Sequence, residues 1–192
     1  TGEFSTAASG DYSSGAASDL SQAWALLGLS LAGQPVPAPA VGYLLGAQSP
    51  DGSWGSMDPD TTALAVSALL ASGQVQPSDP AVTNALIFFH RTQLANGGWR
   101  PAWDTDPLNA DSTAWILQAL YAAGEDLTTW AATEGEPVAA LAGLQKADGS
   151  IGGTYANTYS TAEALLGLAG RPLSALAMPL HPTGAGLVVQ LR

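Results

Sequence analysis

Aromatic rings and carboxylates alternate in two loops and at the helix starts that follow them. We assign a ligand-binding role to Trp103, Asp104, Asp106, Asp111, Tyr155 and Tyr159, with Trp99 beside them. Aromatic faces with a few carboxylates can form a concave site for a sugar, a corrinoid or a hydrophobic ligand, or a protein interface. The alternative is that the rings only cover the core. Trp103 is the strongest candidate for binding because it lies in the longest loop.

Asp58 and Asp60 open a predicted helix with the sequence Asp-Pro-Asp-Thr-Thr-Ala. Asp58 is a preferred N-cap residue, and Asp60 places a negative charge at the positive end of the helix. Capping residues recur at the matching positions Ser18, Asn109 and Asn157. This interpretation makes Asp60 an ionised structural residue and leaves no residue assigned to catalysis.

Few residues in this sequence could bind a metal ion or support thiol chemistry. The chain has no cysteine, which excludes disulfides, thiolate metal ligands and an internal thioester. His90 in a predicted helix and His181 in the tail are isolated, as surface or packing histidines are. Asp104 and Asp106 alone do not supply the full set of oxygens that calcium needs. We therefore predict no metal and no cofactor.

The composition narrows the classes of partner. The 192 residues include 16 acidic and 5 basic side chains, a formal net charge of −11. Nucleic acids and anionic membranes attract clustered Lys and Arg, so neither is expected as a partner. No apolar run approaches the roughly 20 residues of a membrane span. The acidic, Lys-poor, small-residue composition favours an exported bacterial protein, extracellular or at the cell surface.

Helix signals alternate along the chain in pairs. Four segments carry an N-cap residue at their start and a glycine just past their end, which predicts the second helix of each pair. They are 18–29, 58–69, 109–120 and 157–168. The first helices of the pairs are predicted at about 38–48, 79–93 and 136–145 from helical spacing of Leu, Phe and Gln.

A turn signature closes each first helix. It reads Gln48-x-x-Asp-Gly-Ser-Trp54, Gln93-x-x-Asn-Gly-Gly-Trp99 and Gln145-x-x-Asp-Gly-Ser-Ile151. Glycine allows the turn's positive φ, Gln can hydrogen-bond a neighbouring helix, and Trp can cover the seam between repeats. The signature is therefore mainly structural. One such repeat cannot bury its apolar face alone and must stack on others.

This signature resembles the QW motif of the squalene-cyclase and prenyltransferase repeat superfamily over residues 1–173, with Ile151 departing from it. The resemblance implies an all-α fold of the α/α toroid type. About seven helices make a partial ring, since a full toroid holds about twelve. Residues 174–192 are expected to be a non-repeat tail or linker.

The resemblance also suggests activities. Asp58-Pro-Asp60-Thr61-Thr-Ala is similar to the Asp-x-Asp-Asp-Thr-Ala motif of class II terpene cyclases, with Thr61 in place of the last Asp. In those enzymes the residue matching Asp60 protonates an alkene, which requires a neutral carboxylic acid in a dry pocket beside aromatic rings. Zinc-dependent prenyl transfer and thioester chemistry both need the cysteine that this chain lacks.

The leading hypothesis is a non-enzymatic module that binds a small molecule or a protein. The alternative is a terpene-cyclase-like enzyme with Asp60 as general acid, and a third is a structural spacer. The segment 18–32 carries more apolar surface than one hairpin can cover. We expect self-association there, or completion by a part of the protein that precedes Thr1.

Overall fold

The computed structural model describes residues 18–154 and 156–176, and all regular structure there is helical. An all-α fold is thus confirmed. The eight α-helices are α1 Asp19–Leu31, α2 Ala38–Gly46, α3 Pro59–Ala71, α4 Pro80–Thr92, α5 Ala110–Ala123, α6 Pro137–Ala142, α7 Thr158–Leu168 and α8 Leu173–Leu176. A 3-10 helix spans Leu127–Trp130. Within these ranges, no helix is both long enough and apolar enough to cross a bilayer.

The predicted caps fix the starts of the second helices. The side chains of Ser18, Asp58, Asn109 and Asn157 each accept a hydrogen bond from the backbone N–H three residues later. These bonds satisfy donors that have no partner within the helix. The helices end at left-handed glycines, as predicted, with φ between 67° and 75° at Gly33, Gly73, Gly124 and Gly170.

The second helices form a continuous row. Helix α1 packs on α3, α3 on α5, and α5 on α7. Helices α2, α4 and α6 each pack between two neighbours in this row. The described helices therefore build two layers, with the second helices side by side. A toroidal closure of these layers stays a prediction.

The turn signature holds the layers together, as expected. Trp54 and Trp99 are fully buried, and their ring N–H groups donate to the carbonyls of Leu44 and Phe89. The Gln48 amide donates to the Ala81 carbonyl at the start of α4. Gln93 makes the matching bond to the Trp130 carbonyl. The first two signatures thus each tie one hairpin to the next.

The third repeat is looser than the first two. Helix α6 ends at Ala142 rather than near Gln145, and Ile151 fills the place of the tryptophan. Helix α8 spans the predicted boundary at 173 and contacts α5. The division at 173 stays a prediction, and residues 177–192 of the tail lie outside the described residues.

Candidate functional site

The row of second helices carries a pocket built from equivalent positions of each repeat. Positions two and six residues after each N-cap lie one turn apart on the same helix face. We define the four-helix pocket, of about 230 Å³, by the residues that line it. They are Leu20 and Trp24 of α1, Asp60 and Leu64 of α3, Asp111 and Trp115 of α5, and Glu163 of α7.

Asp60 is the most perturbed acid of the pocket. The pKa of this carboxyl is raised to about 7. Burial is the main cause, the hydroxyl of Ser112 opposes it, and the nearby charges of Asp58, Asp111 and Glu163 add to the rise. The Oδ1 atom of Asp60 is buried, as is the neighbouring Ser112 hydroxyl. Near neutral pH this carboxyl therefore holds its proton about half of the time.

Asp111 and Glu163 share this electrostatic environment. Burial, and secondly the charge of Asp104, raises the pKa of Asp111. Burial, followed by the charge of Asp111, also raises the pKa of Glu163, although the Trp115 ring donates a 3.1 Å hydrogen bond to it. The Oδ1 atom of Asp111 is buried and unpaired within the described part of the chain. Negative charge thus collects here from α3, α5 and α7.

Two tryptophans form aromatic walls of the pocket. The rings of Trp24 and Trp115 meet edge to face, with centroids 5.4 Å apart and planes at 88°. Trp115 is almost fully buried, whereas 45% of Trp24 is exposed. The hydrogen bond from Trp115 to Glu163 fixes one ring, and Trp24 leaves part of its surface open to a ligand.

The interpretation of Asp60 as an ionised structural residue stays a prediction, and its raised pKa argues against it. Asp58 alone performs the capping, since its carboxylate accepts the Thr61 N–H at 3.0 Å. Asp60 instead faces α5 and α7, where burial keeps part of its population protonated. Trp24 and Trp115 pack against each other and also line the pocket.

Asp104 and Asp106 organise the long loop before α5. Asp104 is buried and accepts hydrogen bonds from the Asn109 amide and the backbone N–H of Asp106. Burial opposes ionisation of Asp104, but these hydrogen bonds and Arg100 outweigh it and lower its pKa. The Asp106 carboxylate accepts two bonds from Thr154. A ligand-binding role for either residue stays a prediction.

Trp103 lies at a second and larger cavity, which shares no lining residue with the four-helix pocket. This loop cavity, of about 600 Å³, is lined by residues 55–59 and 100–103 with Phe88 and Thr92 of α4. Trp103 is 73% exposed there. Ser56 and Met57 adopt positive φ values of 60° and 67°, an uncommon conformation for residues other than glycine.

The predicted binding residues are therefore divided between different places. Asp111 lines the four-helix pocket, and Trp103 lines the loop cavity. Tyr159, at the first turn of α7, is 81% exposed and lines neither space. Tyr155 and His181 lie outside the described residues. His90 stacks on Trp130 with ring centroids 3.6 Å apart, which is a packing role.

The sequence interpretation missed Trp24, Trp115 and Glu163 as members of one site. Each of them follows its N-cap by six residues, as Leu64 does. Asp60, Asp111 and Leu20 share the position two residues after the cap. Comparing these two positions across the aligned repeats would have revealed the pocket, because equivalent positions of stacked repeats face the same side.

Comparison with known proteins gives one partial similarity. The chain is 33% identical over 101 residues to a squalene–hopene cyclase of Bradyrhizobium diazoefficiens. The match covers 46% of this chain and 15% of that protein. No family model matches the chain. These findings support a distant relation to the cyclase superfamily.

Proposed function

We propose that the chain is a non-enzymatic ligand-binding module of the α/α toroid type, and that the four-helix pocket receives the ligand. One observation carries this proposal: three carboxyl groups with raised pKa values converge beside two tryptophans in one partly open pocket. Perturbed ionisable groups in a concave, partly apolar space are typical of binding sites. Structural capping explains none of these three side chains.

The ligand proposal also accounts for the surface chemistry of the pocket. Leu20, Leu64 and the tryptophans provide apolar contact area, and the carboxyl groups provide polar anchors. Such a combination orients a small molecule with an apolar body and one polar group. That this is an exported bacterial protein is inferred from its composition alone and stays a prediction.

A thermal-stability screen tests this function. We expect a small apolar ligand carrying a polar group to raise the unfolding temperature, and the rise should grow with the logarithm of ligand concentration above its Kd, since the ligand binds only the folded state. The variant Trp24→Ala should lose this effect, because it removes the open wall. The variant Trp103→Ala serves as the matched control and should retain it. Stabilisation lost in Trp103→Ala and kept in Trp24→Ala would move the binding site to the loop cavity.

The second candidate is a cyclase-like enzyme that uses Asp60 as general acid. A partly protonated Asp60 beside aromatic rings favours it, together with the distant similarity to a squalene–hopene cyclase. A carboxyl whose pKa lies near the working pH is suited to general-acid catalysis. Thr61 counts against the enzyme, because it occupies the place of the last Asp in the cyclase motif.

Product analysis separates the two functions. The protein is incubated with polyprenyl substrates at pH 5 to 8, and the extract is examined by mass spectrometry for cyclised product. Cyclised product that disappears in Asp60→Asn would establish the enzyme. Binding of the substrate without product would support the module.

A further inference from the structure

The four-helix pocket has negative charge that its own walls do not neutralise. Its lining contains Asp60, Asp111 and Glu163 but no Lys, Arg or His. Two arginines of the described residues are engaged elsewhere: Arg91 pairs with Asp51, and Arg100 donates to the Asp106 carbonyl. A bound cation would therefore meet uncompensated carboxylates in the pocket.

One of the carboxyl groups also has an oxygen without a partner. The Oδ1 atom of Asp111 is buried and accepts no hydrogen bond from the described residues. Buried polar atoms are nearly always paired, so an unpaired one needs an explanation. Asp111 lines the same cavity as Asp60 and Glu163, and a positive charge placed there would attract all three carboxyl groups.

The aromatic walls suit a cation with an apolar surface. Tryptophan is the side chain whose ring face attracts cations most strongly. The rings of Trp24 and Trp115 stand at 88° to each other, so they present walls in two directions. Glu163, which accepts the Trp115 N–H, adds a negative charge at the edge of one wall.

A bare metal ion does not fit this arrangement. Nowhere in the described ranges do three His, Asp or Glu side chains form a group that could hold a metal ion. The carboxyl groups are instead spread over three helices around a cavity of about 230 Å³. A larger cation can fill this space and contact several walls at once.

We infer that the four-helix pocket binds an organic ammonium cation, such as a trimethylammonium group, between Trp24 and Trp115 and against Asp60, Asp111 and Glu163. This inference rests on the proposed binding function and names the chemical class of its ligand. Methylated ammonium groups combine a positive charge with an apolar surface, which are the two properties that these walls recognise.

Cation binding should be linked to proton release. Burial is the main reason that the Asp60 carboxyl keeps a proton near neutral pH. The acids that act on it are Asp58 at the start of α3, Asp111 on α5 and Glu163 on α7. Helix α1 contributes no acid or base to the lining of the pocket. A cation in the pocket favours the ionised carboxylates and lowers their pKa values. Affinity should therefore rise as the pH increases from 5 to 8.

The decisive experiment compares choline with 3,3-dimethylbutan-1-ol (dimethylbutanol), the neutral analogue in which a carbon atom replaces the nitrogen of choline. Isothermal titration calorimetry at pH 8 should give an affinity for choline about tenfold higher than for the neutral analogue. Titration in two buffers of different ionisation enthalpy should show protons released at pH 7. Asp111→Asn, Glu163→Gln and Trp24→Ala should each weaken choline binding, whereas Trp103→Ala should not.

The possible outcomes separate this inference from the proposed function. Equal affinity for choline and dimethylbutanol would overturn the ammonium ligand and leave the pocket as a site for neutral apolar molecules. No binding of choline would overturn the inference as well, and the stability screen would then decide the proposed function alone. Circular dichroism of each variant confirms that a loss of binding is not a loss of folding.

Discussion

Trp54 and Trp99 show how one residue type performs different tasks within this chain. Both rings are fully buried at the junctions of hairpins and donate to backbone carbonyls, whereas Trp103 is 73% exposed. The first two therefore contribute to folding, and Trp103 is free to contact other molecules. Trp24 and Trp115 are intermediate, because they pack against each other and also line a pocket.

Replacing the buried tryptophans should destabilise the protein strongly. Trp54→Ala and Trp99→Ala should each lower the free energy of unfolding by about 3–5 kcal/mol, the usual cost of removing a buried aromatic ring. Trp103→Ala should cost less than about 1 kcal/mol because most of its surface is already in water. Urea denaturation measures the three values. A cost for Trp103→Ala equal to that of Trp54→Ala would place Trp103 in the core.

Asp60 should make the protein less stable as the pH rises. Its pKa is about 7 in the folded state against an ordinary value of 3.8, so between these values the folded state binds more protons than the unfolded state. The free energy of unfolding therefore falls with increasing pH, by up to about 4 kcal/mol from this group alone. Asp60→Asn should remove this dependence and be the more stable protein at pH 8.

Asp58→Ala provides the control for this measurement. It removes the N-cap bond to the Thr61 N–H, which should cost about 1 kcal/mol. Because this variant keeps Asp60, the fall in stability between pH 4 and 7 that we attribute to Asp60 should persist in it. If Asp60→Asn behaved like Asp58→Ala, Asp60 would be a structural residue only.

At the scale of the elements, two glycines occupy equivalent places in the turn signature but pack differently. Gly52 and Gly149 have nearly the same positive φ, 90° and 88°, so a side chain is strained to a similar degree at both. They differ in their surroundings. A Cβ atom at Gly52 would lie 2.2 Å from the Asn84 carbonyl oxygen, whereas at Gly149 it would meet no atom within 4 Å.

This difference predicts unequal costs for the same substitution. Gly52→Ala and Gly149→Ala should share a backbone cost of about 1 kcal/mol. Gly52→Ala should lower the free energy of unfolding by about 1–3 kcal/mol more, because the turn must move away from α4. Thermal unfolding of the two variants gives the comparison. Equal losses would mean that the turn does not pack against α4 in solution.

The elements could be predicted from the sequence because their signals are local. Ser18, Asp58, Asn109 and Asn157 fix the helix starts, and the glycines fix the ends. The protonation of Asp60 could not be predicted in this way, since it depends on α5 and α7, which are distant in the chain and close only after folding. The hydrogen bond from Trp115 to Glu163 spans 48 residues for the same reason.

At the scale of the whole molecule, α1 is the terminal helix of the described row. Leu27 is buried, but Leu20 and Trp24 are 41% and 45% exposed. The apolar stripe predicted for this helix is thus covered in part. In a monomer, the apolar tail run 187–191 would be the segment expected to cover the rest of this stripe, and it lies outside the described residues.

The partly open α1 face should support association. We expect light scattering to show a concentration-dependent dimer, because exposed apolar surface at the end of a repeat row favours stacking on another copy. Leu20→Glu, at the edge of the face, should shift the equilibrium to monomer, with Leu165→Glu on α7 as the control at another exposed leucine. A monomer at all concentrations would contradict self-association.

The central claim is that the four-helix pocket is organised around the carboxyl group of Asp60, which keeps its proton near neutral pH. NMR titration of the side-chain carboxyl carbons between pH 3 and 9, with Asp60 assigned by its loss in Asp60→Asn, measures this pKa directly. We predict a midpoint near 7 for Asp60, in agreement with its burial against α5 and α7. A midpoint near the ordinary value of 3.8 would contradict the account, since Asp60 would then be a solvated helix-start charge.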